Sequence, residues 1–146
     1  MKIVFLDFDG VLNSTLFFIA NPGAEICTEE QVDPAAVARL NTIVSVSKAD
    51  VVVSSTWRLH HDAAYLQRIL DMRGFRGKVI DTTPVLHHRV RGREIQAWLN
   101  WHPETEKFVI LDDDSDMEHL SDRLIKTAFV NGLQDVHVGK ALQHLL

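Results

Sequence analysis

Asp7 and Asp9 are the residues of this 146-residue chain best placed to do chemistry, because they follow directly on the apolar run Ile3-Val4-Phe5-Leu6. A short strand that ends in carboxylates two residues apart presents both on one side of the chain. Such a pair can divide labour, one carboxylate attacking as a nucleophile while the other moves protons. Gly10 behind them lets the backbone turn away. Asp and Gly are also ordinary turn residues after a strand, so these letters alone leave catalysis and turn formation both open.

A second acidic group, Asp112-Asp113-Asp114 with Asp116, follows the apolar run 108–111 in the same way. If that strand lies beside the first, its carboxylates meet Asp7 and Asp9 at one sheet edge. Like charges so gathered raise one another's pKa and destabilise the fold unless a cation offsets them. Oxygen ligands favour a hard metal, and Mg²⁺ takes few carboxylates while keeping several waters. A solvated acidic loop capping the next helix is the other reading, but one carboxylate suffices for a cap. The spacing of Asp112, Asp114 and Asp116 also mimics the start of an EF-hand loop. That fails because Met117 stands where glycine is required and Arg123 where the bidentate glutamate belongs.

Four weaker features accompany the acids. Ser54-Ser55-Thr56 ends the run 51–53 with hydroxyls that can hold a phosphoryl oxygen or cap a helix. Arg89, Arg91 and Arg93 straddle the predicted start of a helix, where the macrodipole disfavours cations by about 0.3–1 kcal/mol. A guanidinium aimed at an oxyanion would explain that breach, and Arg91, beside Gly92, is the choice among the three. The pairs His60-His61 and His87-His88 lack the i, i+4 spacing of a helical metal site and read as solvated loop residues. Trp57 can stack on a nucleobase or fill the core, and the core reading is preferred.

The elements that must position these groups are short and alternate. Runs 3–6, 51–53, 78–80, 108–111 and 128–130 read as strands. Between them, Asp33-Pro34 opens a helix carrying Val37, Leu40 and Val44. Tyr65, Leu66, Ile69 and Leu70 mark another, with Gly74 where it should stop, and Ile95, Trp98 and Leu99 a third, closed by Pro103. Leu120, Leu124 and Ile125 suggest a short fourth helix, and Ala141, Leu142 and Leu145 a terminal one. Strand–helix alternation implies right-handed crossovers and a parallel sheet covered on both faces, an α/β three-layer Rossmann-like domain. The segment 13–31 lacks clear periodicity and follows the acidic pair directly; it is either a flap over the site or a tolerated insertion.

Composition bounds the rest. The length suits one domain, 1–146, and 46% hydrophobic with 24% charged residues is ordinary for a globular protein. A net charge of −5 argues against broad affinity for nucleic acid, though a local basic patch can still exist. Cys27 is the only cysteine, which excludes an internal disulfide and a thiolate zinc cluster. Asp7 and Asp9 interrupt the N-terminal apolar run too early for a signal peptide, and no run approaches a membrane span, so a cytoplasmic setting is expected.

Taken in order, these four elements resemble the haloacid dehalogenase (HAD) superfamily of phosphotransferases. Asp7-Phe8-Asp9-Gly10-Val11 matches its first motif, Ser54-Ser55 its second, Arg91 the basic third, usually lysine, and Asp112 through Asp116 its fourth. More narrowly, Ser54-Ser55-Thr56-Trp57-Arg58, Arg91-Gly92-Arg93-Glu94-Ile95 and the run 110–116 are similar to HAD domains associated with RNA-repair proteins. The resemblance implies a five-stranded sheet in the order 3-2-1-4-5 and a Mg²⁺-dependent phosphohydrolase. Asp7 would attack phosphorus and form an aspartyl-phosphate, and Asp9 would shuttle protons. Asp7, the Asp9 carbonyl and Asp112 or Asp113 would hold Mg²⁺, with Asp116 direct or one shell out. Ser54 or Ser55 and Arg91 would bind phosphoryl oxygens. No large cap fits in the chain, which is compatible with a bulky substrate such as a nucleic-acid end or a phosphoprotein. Two other readings are a catalytically weak phosphate- or nucleotide-binding module and a receiver-like domain phosphorylated near Asp81.

Overall fold

The apolar runs form the sheet they predict, except at its last strand. The computed structural model describes residues 1–146. Strands β1 (Lys2–Leu6), β2 (Asp50–Val53), β3 (Val79–Thr82), β4 (Lys107–Asp112) and β5 (Leu124–Lys126) make one sheet in the order β3-β2-β1-β4-β5. Every neighbouring pair is parallel.

Strand β1 is central because both of its faces are apolar. Val4 and Leu6 point into a core of 25 buried residues with α2 (Pro34–Ser47), α3 (Ala63–Asp71) and α5 (Asp135–Leu145). Ile3 and Phe5 point the other way, into a smaller core of 8 buried residues with α4 (Arg91–Trp101) and the 3₁₀ turn Glu118–Arg123. A charge at any of these four positions would be buried without a partner, at several kcal/mol.

Helix α2 begins as its letters require, with Asp33 Oδ1 accepting from the Ala35 amide at 2.9 Å and Pro34 in the first turn. Helix α4 has no side-chain cap of its own. Its first amides are instead satisfied from the loop after β4: Arg91 N donates to Asp116 Oδ2 at 3.3 Å and Gly92 N to Asp116 O at 3.1 Å. Gly92 permits that approach, since a Cβ there would lie 2.3 Å from the Met117 carbonyl oxygen.

Two expectations are corrected. The fifth strand is Leu124–Lys126, not 128–130, and the helix expected through Leu120, Leu124 and Ile125 is the 3₁₀ turn Glu118–Arg123 leading straight into that strand. Ala128-Phe129-Val130 has strand-like letters but turns back on itself, Gly132 N donating to Ala128 O at 2.8 Å. The third strand also starts one residue later and runs two further than 78–80. The segment 13–31 is not featureless: it holds the short helix α1 (Thr15–Ala20) and a 3₁₀ turn at Glu29–Gln31. No helix is long and apolar enough to cross a membrane.

Candidate active site

Asp7, Ser54 and Asp112 stand at one level of the sheet. The Asp7 amide donates to Leu111 O and the Ser54 amide to Leu6 O, each at 3.0 Å, carrying the ladder one residue past β1 and β2. Leu6 pairs with both Val53 and Leu111, so Asp7 falls between Ser54 and Asp112. All three share the alternation of Phe5, Val52 and Ile110, which places them on the α4 side.

Arg91, the first residue of α4, closes the group from above. Its Nη1 lies 2.6 Å from Asp112 Oδ2 and 3.4 Å from Asp7 Oδ2. Ligand oxygens of Asp7, Asp112 and Asp113 all lie within 4.8 Å of one another. Burial, and next the Asp112 carboxylate, push Asp7 well above the usual carboxylate range although Arg91 pulls it down. Burial raises Asp112 too, with Arg91 opposing. For Arg91, burial acts to lower the guanidinium, but Asp7 and Asp112 overcome it and hold the group above its ordinary value.

These residues fit a hard divalent cation. The donor set is all carboxylate oxygen, and three carboxylates around one guanidinium leave a charge deficit that a divalent ion would neutralise. The site is also shaped for the third acid. Gly10 has φ +81°, and a Cβ on it would sit 2.6 Å from Asp113 Cγ, so the glycine supplies both the turn and the space.

Asp9 is half-buried and held by two donors. Asn13 Nδ2 donates to its Oδ1 at 2.9 Å, and Trp57 Nε1 lies 3.3 Å from each carboxylate oxygen. Trp57 is therefore both the core residue its letters suggest, 3% exposed and packed on Phe8, and a direct partner of Asp9. The hydroxyls also separate. Ser55 Oγ accepts from the Trp57 amide at 3.2 Å and caps the 3₁₀ turn Thr56–Leu59. Ser54 Oγ is fully buried and has no partner.

Of the three arginines, only Arg91 reaches the carboxylates. Arg93 pairs with Glu118 at 2.9 Å, and Arg89 is exposed with φ +55°. Asp116 stands outside the cluster, its carboxylate turned to the start of α4. Neither histidine pair joins the site. His61 stacks on Tyr65 at 4.4 Å, and His88 Nδ1 accepts from the Val90 amide at 3.1 Å. Asp81 accepts from Trp98 Nε1 at 2.8 Å and from the Thr82 amide at 2.9 Å, one bond to each carboxylate oxygen.

Sequence reasoning passed over Asn13, the Trp57–Asp9 contact and the partners of Arg58. Asn13 carried a signal: four residues after Asp9, its side chain accepts from the Gly10 amide at 2.9 Å while donating to Asp9.

Over residues 3–138 the chain matches the family model described as the HAD domain in Swiss Army Knife RNA repair proteins, and it belongs to that family. Searches of curated proteins and of solved structures each return no significant match.

Proposed function

We propose that this HAD-family domain is a Mg²⁺-dependent phosphomonoesterase that works through an aspartyl-phosphate on Asp7. The observation that carries the reading is Asp7 itself, held at the strand tip between Asp112 and the unpartnered Ser54 hydroxyl, with Arg91 above. An Asp7 oxygen attacks phosphorus in line, and the bond from phosphorus to the leaving oxygen breaks. Asp9 delivers a proton to that oxygen, then takes one from the water that hydrolyses the acyl phosphate. Ser54 Oγ and Arg91 hold non-bridging oxygens. Only Nη1 of Arg91 is engaged by the protein, which leaves Nε and Nη2 to a phosphoryl group. Asp7, the Asp9 main-chain carbonyl, Asp112 and Asp113 would hold Mg²⁺, which supplies a positive charge against the phosphoryl oxygens. Asp116 orients Arg91 through the first amides of α4.

The substrate in this reading is a phosphorylated nucleic-acid end. Family membership supports it, and so does the small size of the one insertion beside the site, residues 13–31, which serves as a minimal flap and not as a closed cap. A weak phosphate-binding module is the second reading. The 2.6 Å contact between Arg91 and Asp112 favours it, because Mg²⁺ must compete with Arg91 for that carboxylate.

A phosphate-release assay on an aryl phosphate and on 3′- and 5′-phosphorylated oligonucleotides separates them. Turnover should require Mg²⁺ and fall by about a thousandfold or more in Asp7→Asn. Activity in that variant above about a hundredth of wild type removes Asp7 from the nucleophile role, and small esters turning over far better than oligonucleotides overturns the substrate assignment.

A further inference from the structure

We infer that the buried Arg58–Glu94 pair is a positioning device that sets Ser54 and Arg91 in the geometry that grips a phosphoryl group. The inference rests on the reading of the site given above. Both side chains are 4% exposed, and Arg58 Nη2 lies 2.8 Å from Glu94 Oε1. A guanidinium carries five N–H hydrogens, and Arg58 has five oxygen contacts to match them. Nε donates to Thr83 O at 3.0 Å, and Nη1 to Ser54 O at 3.2 Å and Ser55 O at 2.9 Å. Nη2 donates to Pro84 O at 3.3 Å as well as to Glu94. The second Glu94 oxygen accepts from the Leu86 amide at 2.9 Å.

One side chain thus ties together three pieces of the candidate site. These are the end of β2, the chain leaving β3, and the first turn of α4. Glu94 lies three residues after Arg91, on the same face of the helix, so a displacement of Glu94 carries Arg91 with it. No hydrogen of Arg58 is left over for a ligand, which makes it a positioning residue. The residues it holds show the opposite condition. Ser54 and Thr83, whose carbonyls it binds, both have buried hydroxyls without a partner. A buried ion pair by itself contributes little stability over an apolar replacement. The fork geometry is what a lysine cannot reproduce, since an ammonium offers three donors from one point.

The test is binding of inorganic phosphate in the presence of Mg²⁺, by calorimetry, in Arg58→Lys, Glu94→Gln, Arg91→Ala and the double variant Arg58→Lys/Arg91→Ala. Thermal melts establish that each variant is folded at the assay temperature. Phosphate affinity should fall by about 10- to 100-fold in Arg58→Lys and in Glu94→Gln, the order that losing a hydrogen bond to a charged group costs, while Mg²⁺ affinity does not fall. Added to Arg91→Ala, the Arg58→Lys change should cost clearly less than it does alone, because the share that acts through Arg91 is already lost and only the share through Ser54 remains. Glu94→Gln keeps the shape of the pair and gives the answer should Arg58→Lys not fold. Full phosphate affinity in a folded variant overturns the inference, and so does strict additivity with Arg91→Ala. Wild-type protein that binds phosphate without hydrolysing esters overturns the enzymatic reading and leaves this one standing. Wild-type protein that binds no phosphate overturns both.

Discussion

The Arg58–Glu94 pair and the Arg91–Asp7–Asp112 cluster are both buried, both ionic and both anchored on α4, yet their hydrogen bonds are balanced differently. Arg58 has an acceptor for every donor, and both Glu94 oxygens are occupied. In the other cluster, one guanidinium nitrogen is shared between two carboxylates, a third carboxylate stands close by, and the neighbouring Ser54 hydroxyl is idle. Buried polar groups are normally satisfied, so the idle Ser54 hydroxyl beside a fully satisfied Arg58 supports the reading of this edge as a ligand site. On the proposed reading, this difference separates scaffold from site more sharply than burial does.

The comparison breaks most visibly when one charge is removed from each cluster. Glu94→Ala leaves the Arg58 guanidinium buried and uncompensated, and should cost about 3–5 kcal/mol in a denaturant melt. Asp7→Asn should do the reverse without Mg²⁺. The raised pKa of Asp7 means that the fold disfavours its charged form. Above the ordinary carboxylate pKa, the ionised group therefore weakens the native state, and a neutral isostere relieves it. The midpoint should be unchanged or higher for Asp7→Asn, and Mg²⁺ should stabilise it less than wild type. A loss from Asp7→Asn as large as that from Glu94→Ala would abolish the distinction.

Gly92→Ala strikes the element that both clusters share. The new methyl would meet the Met117 backbone, which cannot move aside as a side chain could, so the start of α4 must shift. Overpacking of this kind costs about 1–3 kcal/mol. Because Arg91 and Glu94 move together, the same variant should weaken phosphate binding. A stable Gly92→Ala protein with full phosphate affinity would show that α4 tolerates displacement and that neither cluster depends on its register.

Much of this arrangement was legible because it follows from alternation. Apolar strands ending in Asp7, Ser54 and Asp112 must deliver those residues to one edge of a parallel sheet, and the three arginines around the start of α4 stood out by breaking the dipole rule there, Arg91 being chosen among them for its place beside Gly92. The fifth strand was not legible. Leu124-Ile125-Lys126 is three residues long with one side chain buried, too short for any period to register, while Phe129 and Val130 have strand letters but are 43% and 53% exposed. The Arg58–Glu94 pair was hidden for another reason. Its members are 36 residues apart, and a charged residue in isolation reads as solvated; only the packing of α4 over the end of β2 removes both from water. Trp57 was read for its ring, and its N–H partner is set by the fold.

A titrating group remote from both clusters calibrates the smallest effect. His137 Nδ1 accepts from the Gln134 amide at 2.8 Å, closing a capping box at the start of α5, and that bond needs the neutral ring. Burial, then Lys140 and Arg39, hold its pKa below the ordinary 6.5. The unfolded chain therefore takes up the proton first. This contribution is fully present above that value and is lost as pH falls toward the folded one. In His137→Gln an amide oxygen can accept the same hydrogen without titrating. The melting difference between wild type and His137→Gln should shift in favour of the variant between about pH 7 and pH 5. A constant difference would mean that the cap survives protonation. Since Asp7 should respond to acid in the opposite sense, the paired measurement also keeps the histidine's share from being mistaken for the site's.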